Sequence, residues 1–276
     1  MCRLFAFRSN LPCRVHQPLV QEKNSLRVQS IEHKDGWGIA SYDTGLFPQV
    51  ARGLGAAHMD PEFERVSSLL SSHTVIAHLR LASVGPVQPC NAHPFIHRSW
   101  TFAHNGTLQR FADHQHEIEA LIDADFRPLL RGDTDSERCF YLFLTLLRAR
   151  SGSTDIPPLE EVARALALTA RTVCKITEPN ATKPSSTNFM VTDGRMLLAT
   201  RRHRTLFFSN RRQRPDEPLP SPTGEPRNGD RFEQIVIASE QMSSEDPWHE
   251  VPEDSLIAVD GDLTFRRWTF DELSAR

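Results

Sequence analysis

A chain of 276 residues with 39% apolar residues can bury a substantial core and fits either one large domain or two small ones. With 32 basic and 35 acidic residues the net charge is −3, so electrostatics lend no support to nucleic-acid or membrane-surface binding. No apolar run approaches the ~20 residues of a membrane span, and arginines near the start precede no apolar signal core, which predicts no signal peptide and a cytoplasmic address.

Short apolar, β-branched and aromatic runs separated by turn residues predict many strands. In chain order these cover 3–7, 37–42, 74–81 and 100–104. A helix is expected over 61–71, where Phe63, Val66, Leu69 and Leu70 are apolar, and a shorter one over 117–122. The next helix starts near Thr134, where Thr134-Asp135-Ser136-Glu137 matches a capping box and Phe140, Phe143, Leu144 and Leu147 form a stripe. A long helix over 158–177 carries Val162, Leu166, Ala170 and Val173 on one face. Strands follow over 188–192, 196–201, 205–209, 234–239, 256–259 and 264–268. Asp193-Gly194 predicts a two-residue hairpin turn, Asp260-Gly261-Asp262 a second hairpin, and the Pro- and Gly-rich 213–231 a long surface loop. The basic runs Arg201-Arg202-His203-Arg204 and Arg211-Arg212 read as solvated strand ends or loops. Segregated strands and helices indicate an α+β fold, with two antiparallel sheets face to face and helices outside. With no repeat and no linker, one domain over 2–276 is expected.

Five scattered cysteines (Cys2, Cys13, Cys90, Cys139, Cys174) form no C-x-x-C pair, against both a disulfide framework and a zinc site. His114-Gln115-His116 lacks a second ligand pair and reads as a solvated helix start. No metal and no cofactor are expected.

Cys2 is the chemically suggestive cysteine. Removal of Met1 would leave one residue carrying a thiol and a free α-amine, a nucleophile with its own base at near-neutral pH. Such a nucleophile needs oxyanion donors and anchors for the charged ends of a substrate. Asn105-Gly106, ending an apolar strand, offers a side-chain amide and a backbone N–H, or else is a simple turn. Arg80 at an apolar strand end calls for a carboxylate partner, from a substrate or from a structural Asp or Glu. Asp135 either serves its helix start or faces a substrate ammonium. Asn91-Ala92-His93-Pro94 forms a turn that brings His93 or its backbone toward the substrate.

In this order the motifs resemble the class II glutamine amidotransferases, a family of N-terminal-nucleophile amidohydrolases. The resemblance runs through Cys2, the His78-Leu79-Arg80-Leu81-Ala82-Ser83-Val84-Gly85 segment, Asn91–Pro94, His104-Asn105-Gly106 and Thr134-Asp135-Ser136-Glu137. It implies a four-layer αββα sandwich, with Cys2 as nucleophile and Asn105 and Gly106 as oxyanion donors. Arg80, Ser83, His93 and Asp135 become substrate-binding residues, with Arg80 on the glutamine carboxylate and Asp135 on its amine. Leu81 and Val84 depart from the Trp and His common in synthase-linked relatives, which affects details of the glutamine pocket. Asp35-Gly36-Trp37-Gly38-Ile39 and Ala238-Ser239-Glu240 resemble a small stand-alone branch, which includes the γ-glutamyl amidohydrolase of ergothioneine synthesis. Three functions follow: hydrolysis of glutamine with ammonia passed to a separate synthase, hydrolysis of a larger γ-glutamyl compound, or a non-catalytic regulatory domain.

Overall fold

The computed structural model describes residues 2–43, 47–152, 156–212 and 232–274. Strand β1 (Arg3–Arg14) outruns the expected 3–7. Polar Arg8, Ser9 and Asn10 extend it because β1 is paired along both edges, with a register break between Arg8 and Cys13 on one of them. Helix α1 (Leu26–Gln29) is capped by the Ser25 hydroxyl, which accepts from the Val28 N–H. Strands β2 (Trp37–Tyr42) and β3 (Gln49–Gly53) lead into α2 (Pro61–Leu69), which starts with Pro at its first position and Asp60 as cap. The helix stops short of 71 because Leu70 is already extended.

Strand β4 (Ser71–Leu79) is followed by β5 (Phe95–His97) and β6 (Trp100–Thr107). Three helices come next: α3 (Phe111–Leu121), longer than the expected 117–122, α4 (Asp135–Ser151) and α5 (Leu159–Thr177). His114 and His116 lie on α3, where each has a carboxylate of its own helix as neighbour, Glu117 and Glu119. The chain then adds β7 (Ser186–Thr192), β8 (Leu197–Arg201), β9 (Phe207–Arg212) and β10 (Glu233–Ala238). It closes with β11 (His249–Glu250), β12 (Ser255–Val259), β13 (Phe265–Thr269) and α6 (Phe270–Ser274). The loop expected over 213–231 lies outside the described residues. Among the described residues no helix is long and apolar enough to cross a membrane.

The strands form two sheets, ordered β11-β9-β10-β1-β4-β2-β3 and β13-β12-β8-β7-β6-β5, and the pairings are antiparallel. Three buried clusters define four layers. Leu4, Ala6, Ile76, Ala103, Met190 and Ile237 fill the space between the sheets. Phe5, Phe7, Trp37 and Ile39 face Leu26 and Phe63 on the α1/α2 side. Phe102, Phe189 and Leu198 face Phe140, Phe143, Leu166 and Val173 of α4 and α5. Residues 4–7 therefore alternate between two apolar faces, which is why the run reads as continuously hydrophobic. The architecture is the expected αββα sandwich of the α+β class.

Both hairpins form, with longer turns than expected. Thr192 pairs with Leu197, so Asp193-Gly194 belongs to a four-residue turn in which Asp193 Oδ1 accepts from the N–H groups of Arg195 and Met196. Val259 pairs with Phe265, and Asp260 Oδ1 similarly holds the N–H groups of Asp262 and Thr264.

Candidate active site

The start of β1, the ends of β4 and β10, and the paired ends of β6 and β7 meet at one end of the sandwich. Cys2 precedes β1, and the Arg3↔Leu79 register sets it opposite Arg80. Its side chain is nearly buried, with Sγ 3.7 Å from the Leu81 carbonyl oxygen. Burial pushes the thiol pKa up. The Leu81 contact and the Arg80 charge draw it partly back, while Asp135 adds to the rise. The resting group is therefore a thiol, and attack through sulfur requires a base.

Arg80 is 3% exposed, and its guanidinium donates to the carbonyls of Val84, Gly85 and Pro86, each at 3.0 Å. The structural Asp or Glu left open by the sequence is not there: among the described residues no carboxylate pairs with Arg80. Three carbonyl dipoles orient the guanidinium but do not cancel its charge. The loop is fixed on its other side by Asp35, whose N–H donates to the Arg80 carbonyl (3.0 Å) and whose Oδ2 accepts from Ala82 N–H (2.8 Å). Ser83 is exposed and shares a 3.0 Å hydrogen bond with Thr107, just beyond Gly106.

Asn105 and Gly106 are not at a turn. They lie within β6, paired with Asn188 and Thr187 of β7. The Asn-Gly turn preference yields to this ladder. Gly is required by close packing: a Cβ at Gly106 would fall 1.9 Å from the Ser186 carbonyl oxygen and 2.3 Å from His104 Nε2. The Asn105 amide donates to Ser239 Oγ (3.2 Å), which also accepts from Leu4 N–H (2.9 Å). Ser239 thus ties β1 to Asn105, and the buried Asn105 Oδ1 has no hydrogen-bond partner.

Asp135 opens α4, one residue after its cap Thr134. Its Oδ2 accepts from Leu108 N–H and its Oδ1 from Ser136 N–H, both at 2.8 Å. Both oxygens retain lone pairs. Half of the capping box is present, since Thr134 Oγ1 accepts from Glu137 N–H. The Glu137 carboxylate reaches further back, to the N–H groups of Arg131 and Gly132.

His93 is buried between the sheets, stacked on His78 at 4.1 Å, and neither ring nitrogen has a hydrogen-bond partner. His78 Nε2 approaches the His104 carbonyl (3.3 Å), and the His104 ring sits between Ser136 Oγ and the Ser186 carbonyl, each at 2.9 Å. Burial lowers all three pKa values, that of His78 to about 3 and that of His93 well below the usual histidine range. These neutral rings support the strand that carries Asn105.

Sequence reasoning assigned no role to Asn91 itself. This fully buried amide donates to the Pro86 carbonyl (3.0 Å), the same oxygen that receives Arg80 Nη1, and accepts from Asp133 N–H (2.9 Å). It joins the Arg80 loop to the entry of α4, and Gly132 permits the fit, since a Cβ there would meet Asn91 Oδ1 at 2.2 Å. Asn91 and Ser239 both lay inside recognised segments, Asn91–Pro94 and Ala238-Ser239-Glu240, but neither was given a role there. The basic run at 201–204 is the expected strand end and loop, but its first two arginines are half-buried and ion-paired rather than free in solvent. Arg201 pairs with Glu250 and Glu253, and Arg202 with Glu178 and Asp254.

A family model described as class-II glutamine amidotransferases matches residues 1–270. A Saccharomyces cerevisiae protein named "Probable glutamine amidotransferase DUG3" is 29% identical over 163 residues, 53% of this chain and 46% of that protein. The gamma-glutamyl-hercynylcysteine sulfoxide hydrolase of Mycobacterium tuberculosis is 26% identical over 246 residues, 85% of this chain and 82% of the relative. Among solved structures, the glutamine aminotransferase class-II domain protein from Silicibacter pomeroyi superposes with a TM-score of 0.67 at 20% identity. It covers 98% of this chain and 99% of that one, which speaks to the fold. The chain spans about half the length of the curated relatives it matches first.

Proposed function

Because the chain belongs to the class-II glutamine amidotransferases, we propose that it hydrolyses the γ-amide of glutamine or of a γ-glutamyl compound, with Cys2 as nucleophile. One observation carries the reading: Arg80, with no carboxylate partner among the described residues, stands opposite the buried Cys2 in the β1–β4 register, and the buried carboxylate of Asp135 is held by Leu108 N–H, two residues beyond Gly106. These are the complements of an α-carboxylate and an α-ammonium, so a glutamyl head held by both would point its γ-carbonyl at the thiol. Ser83 is assigned to the carboxylate side, and His93 to support of the oxyanion strand through His78.

The proposed base is the α-amine of Cys2 itself, exposed by removal of Met1, since no histidine is hydrogen-bonded to Sγ among the described residues. The amine takes the thiol proton, sulfur attacks the γ-carbonyl carbon, a C–S bond forms and the carbonyl electron pair moves to oxygen. The Gly106 N–H and the second hydrogen of the Asn105 amide donate to that oxyanion. Collapse breaks the C–N bond, and the Cys2 ammonium protonates the leaving nitrogen. Water then attacks the thioester, the C–S bond breaks, sulfur regains its proton and glutamate departs.

If glutamine is the substrate, ammonia goes to a separate synthase. A larger γ-glutamyl substrate is favoured by the similarity to the mycobacterial hydrolase across most of both chains. A non-catalytic domain of this fold would fail to react with a glutamine-like affinity label at Cys2. The test is turnover of glutamine and γ-glutamyl amides by the wild type and Cys2→Ala. A loss of roughly 10⁴–10⁶-fold with an unchanged circular dichroism spectrum is expected. Full turnover by Cys2→Ala would overturn the mechanism.

A further inference from the structure

Arg204 is left unexplained by the glutamyl-binding scheme. Unlike Arg201 and Arg202, it has no carboxylate partner among the described residues; its Nε, like that of Arg202, is buried without a hydrogen-bond partner. Its backbone is held firmly. The Arg204 carbonyl accepts from Asn188 Nδ2 (3.2 Å) and Arg201 Nε (3.1 Å), and the Thr205 carbonyl accepts from the same Asn188 amide (3.1 Å). The Arg202 carbonyl accepts from Thr187 N–H, and Asn188 Oδ1 accepts from Arg202 N–H. Thr187 and Asn188 are the partners of Gly106 and Asn105 in the β6–β7 ladder, so the turn is clamped directly behind the oxyanion residues.

The turn also leads into β9, which lies across β10 from β1, whereas Arg80 follows β4 on the opposite side of β1. Two arginines that lack carboxylate partners among the described residues are therefore carried by segments on opposite sides of β1, the strand that Cys2 precedes. Burial lowers the Arg204 pKa, and proximity to Cys2 offsets part of that effect; His104, next to Asn105, is held down in part by the same guanidinium.

We infer that Arg204 binds an anionic group on the leaving amine, so that the preferred substrates are γ-glutamyl amides of carboxylate-bearing amines, such as γ-glutamyl amino acids. This rests on the γ-glutamyl reading above and deepens it. A glutamyl head fixed by Arg80 and Asp135 occupies one side of Cys2, and the leaving group is directed to the other. A half-buried guanidinium whose buried Nε has no partner in the resting protein suits a carboxylate there, through charge-assisted hydrogen bonds. Ammonia leaving from glutamine would not engage it.

The experiment compares kcat/KM for γ-glutamylglycine, its neutral counterpart γ-glutamylglycinamide, and glutamine. The wild type is expected to favour γ-glutamylglycine over the glycinamide by ~10-fold or more. In Arg204→Gln this ratio falls toward one, Arg204→Lys retains part of it, and Arg204→Glu inverts it. A wild-type ratio near one, or a ratio unchanged in Arg204→Gln, overturns the inference alone. Absence of turnover of all three substrates, with no acylation of Cys2, overturns the γ-glutamyl reading and this inference with it. The wild-type ratio needs no variant to fold.

Discussion

In the proposed substrate scheme, the two sides of Cys2 are built differently. On the glutamyl side, Arg80 is gripped by three carbonyls, Asp135 by two backbone N–H groups, and Asn91 ties the two supports together. On the other side a single guanidinium, Arg204, projects from one clamped turn. A network that fixes both charges of one amino-acid head suits a constant part of the substrate. A single charge suits discrimination among leaving groups that differ. On the proposed scheme, the difference assigns substrate range mainly to the Arg204 side.

Substitutions can break or sharpen this contrast. The largest effect is expected where both sides share machinery. Asn105→Ala should lower kcat by about 10²–10³-fold for every substrate, with the leaving-group ratio intact, as steady-state kinetics on paired substrates would show. A change in the ratio would place Asn105 on the leaving-group side instead. Arg80→Lys should come next, raising KM about tenfold or more for all γ-glutamyl compounds alike, because an ammonium cannot reproduce the planar fork. A substrate-selective effect would erase the contrast.

Asn91→Ala probes the tie between the two anchors. It leaves the Asp133 N–H and one role of the Pro86 carbonyl unmet, a cost of about 1–3 kcal/mol in chemical denaturation. KM should rise several-fold more than kcat falls, and an equal fall in both would remove its positioning role. The smallest effect concerns the histidines that support β6, the strand carrying Asn105. Burial holds His78 and His93 below the unfolded value of ~6.5, so between ~6.5 and about 3 the unfolded chain binds more protons than the folded one. Stability is therefore full above ~6.5 and declines as pH falls, by up to ~1.4 kcal/mol per pH unit for each ring. His93→Phe should flatten that acid slope in urea titrations, and an unchanged slope would mean the ring is not buried neutral.

Much of the architecture was legible because β-strand and helix periodicities are local. Phe102, Phe140 and Phe143 mark core faces whatever their partners are. Boundaries failed where pairing overrode local preference, as in the polar half of β1 and in Asn105-Gly106, which has turn composition and ladder geometry. The residues grouped around Cys2 were visible as motifs. Their supports were not, because those are made by distant contacts: Asn105 meets Ser239 134 positions away. Arg204 resembled its neighbours in sequence, and only the ion pairs of Arg201 and Arg202 set it apart.

The central claim is a γ-glutamyl thioester on Cys2, and trapping it is the most direct test. The protein would be mixed with γ-glutamylglycine, quenched in acid and measured by intact mass and peptide mapping. The account predicts a chain lacking Met1 that carries one glutamyl group on the peptide beginning with Cys2. A glutamyl group on any other residue, or turnover with Met1 retained on the active chain, would contradict it.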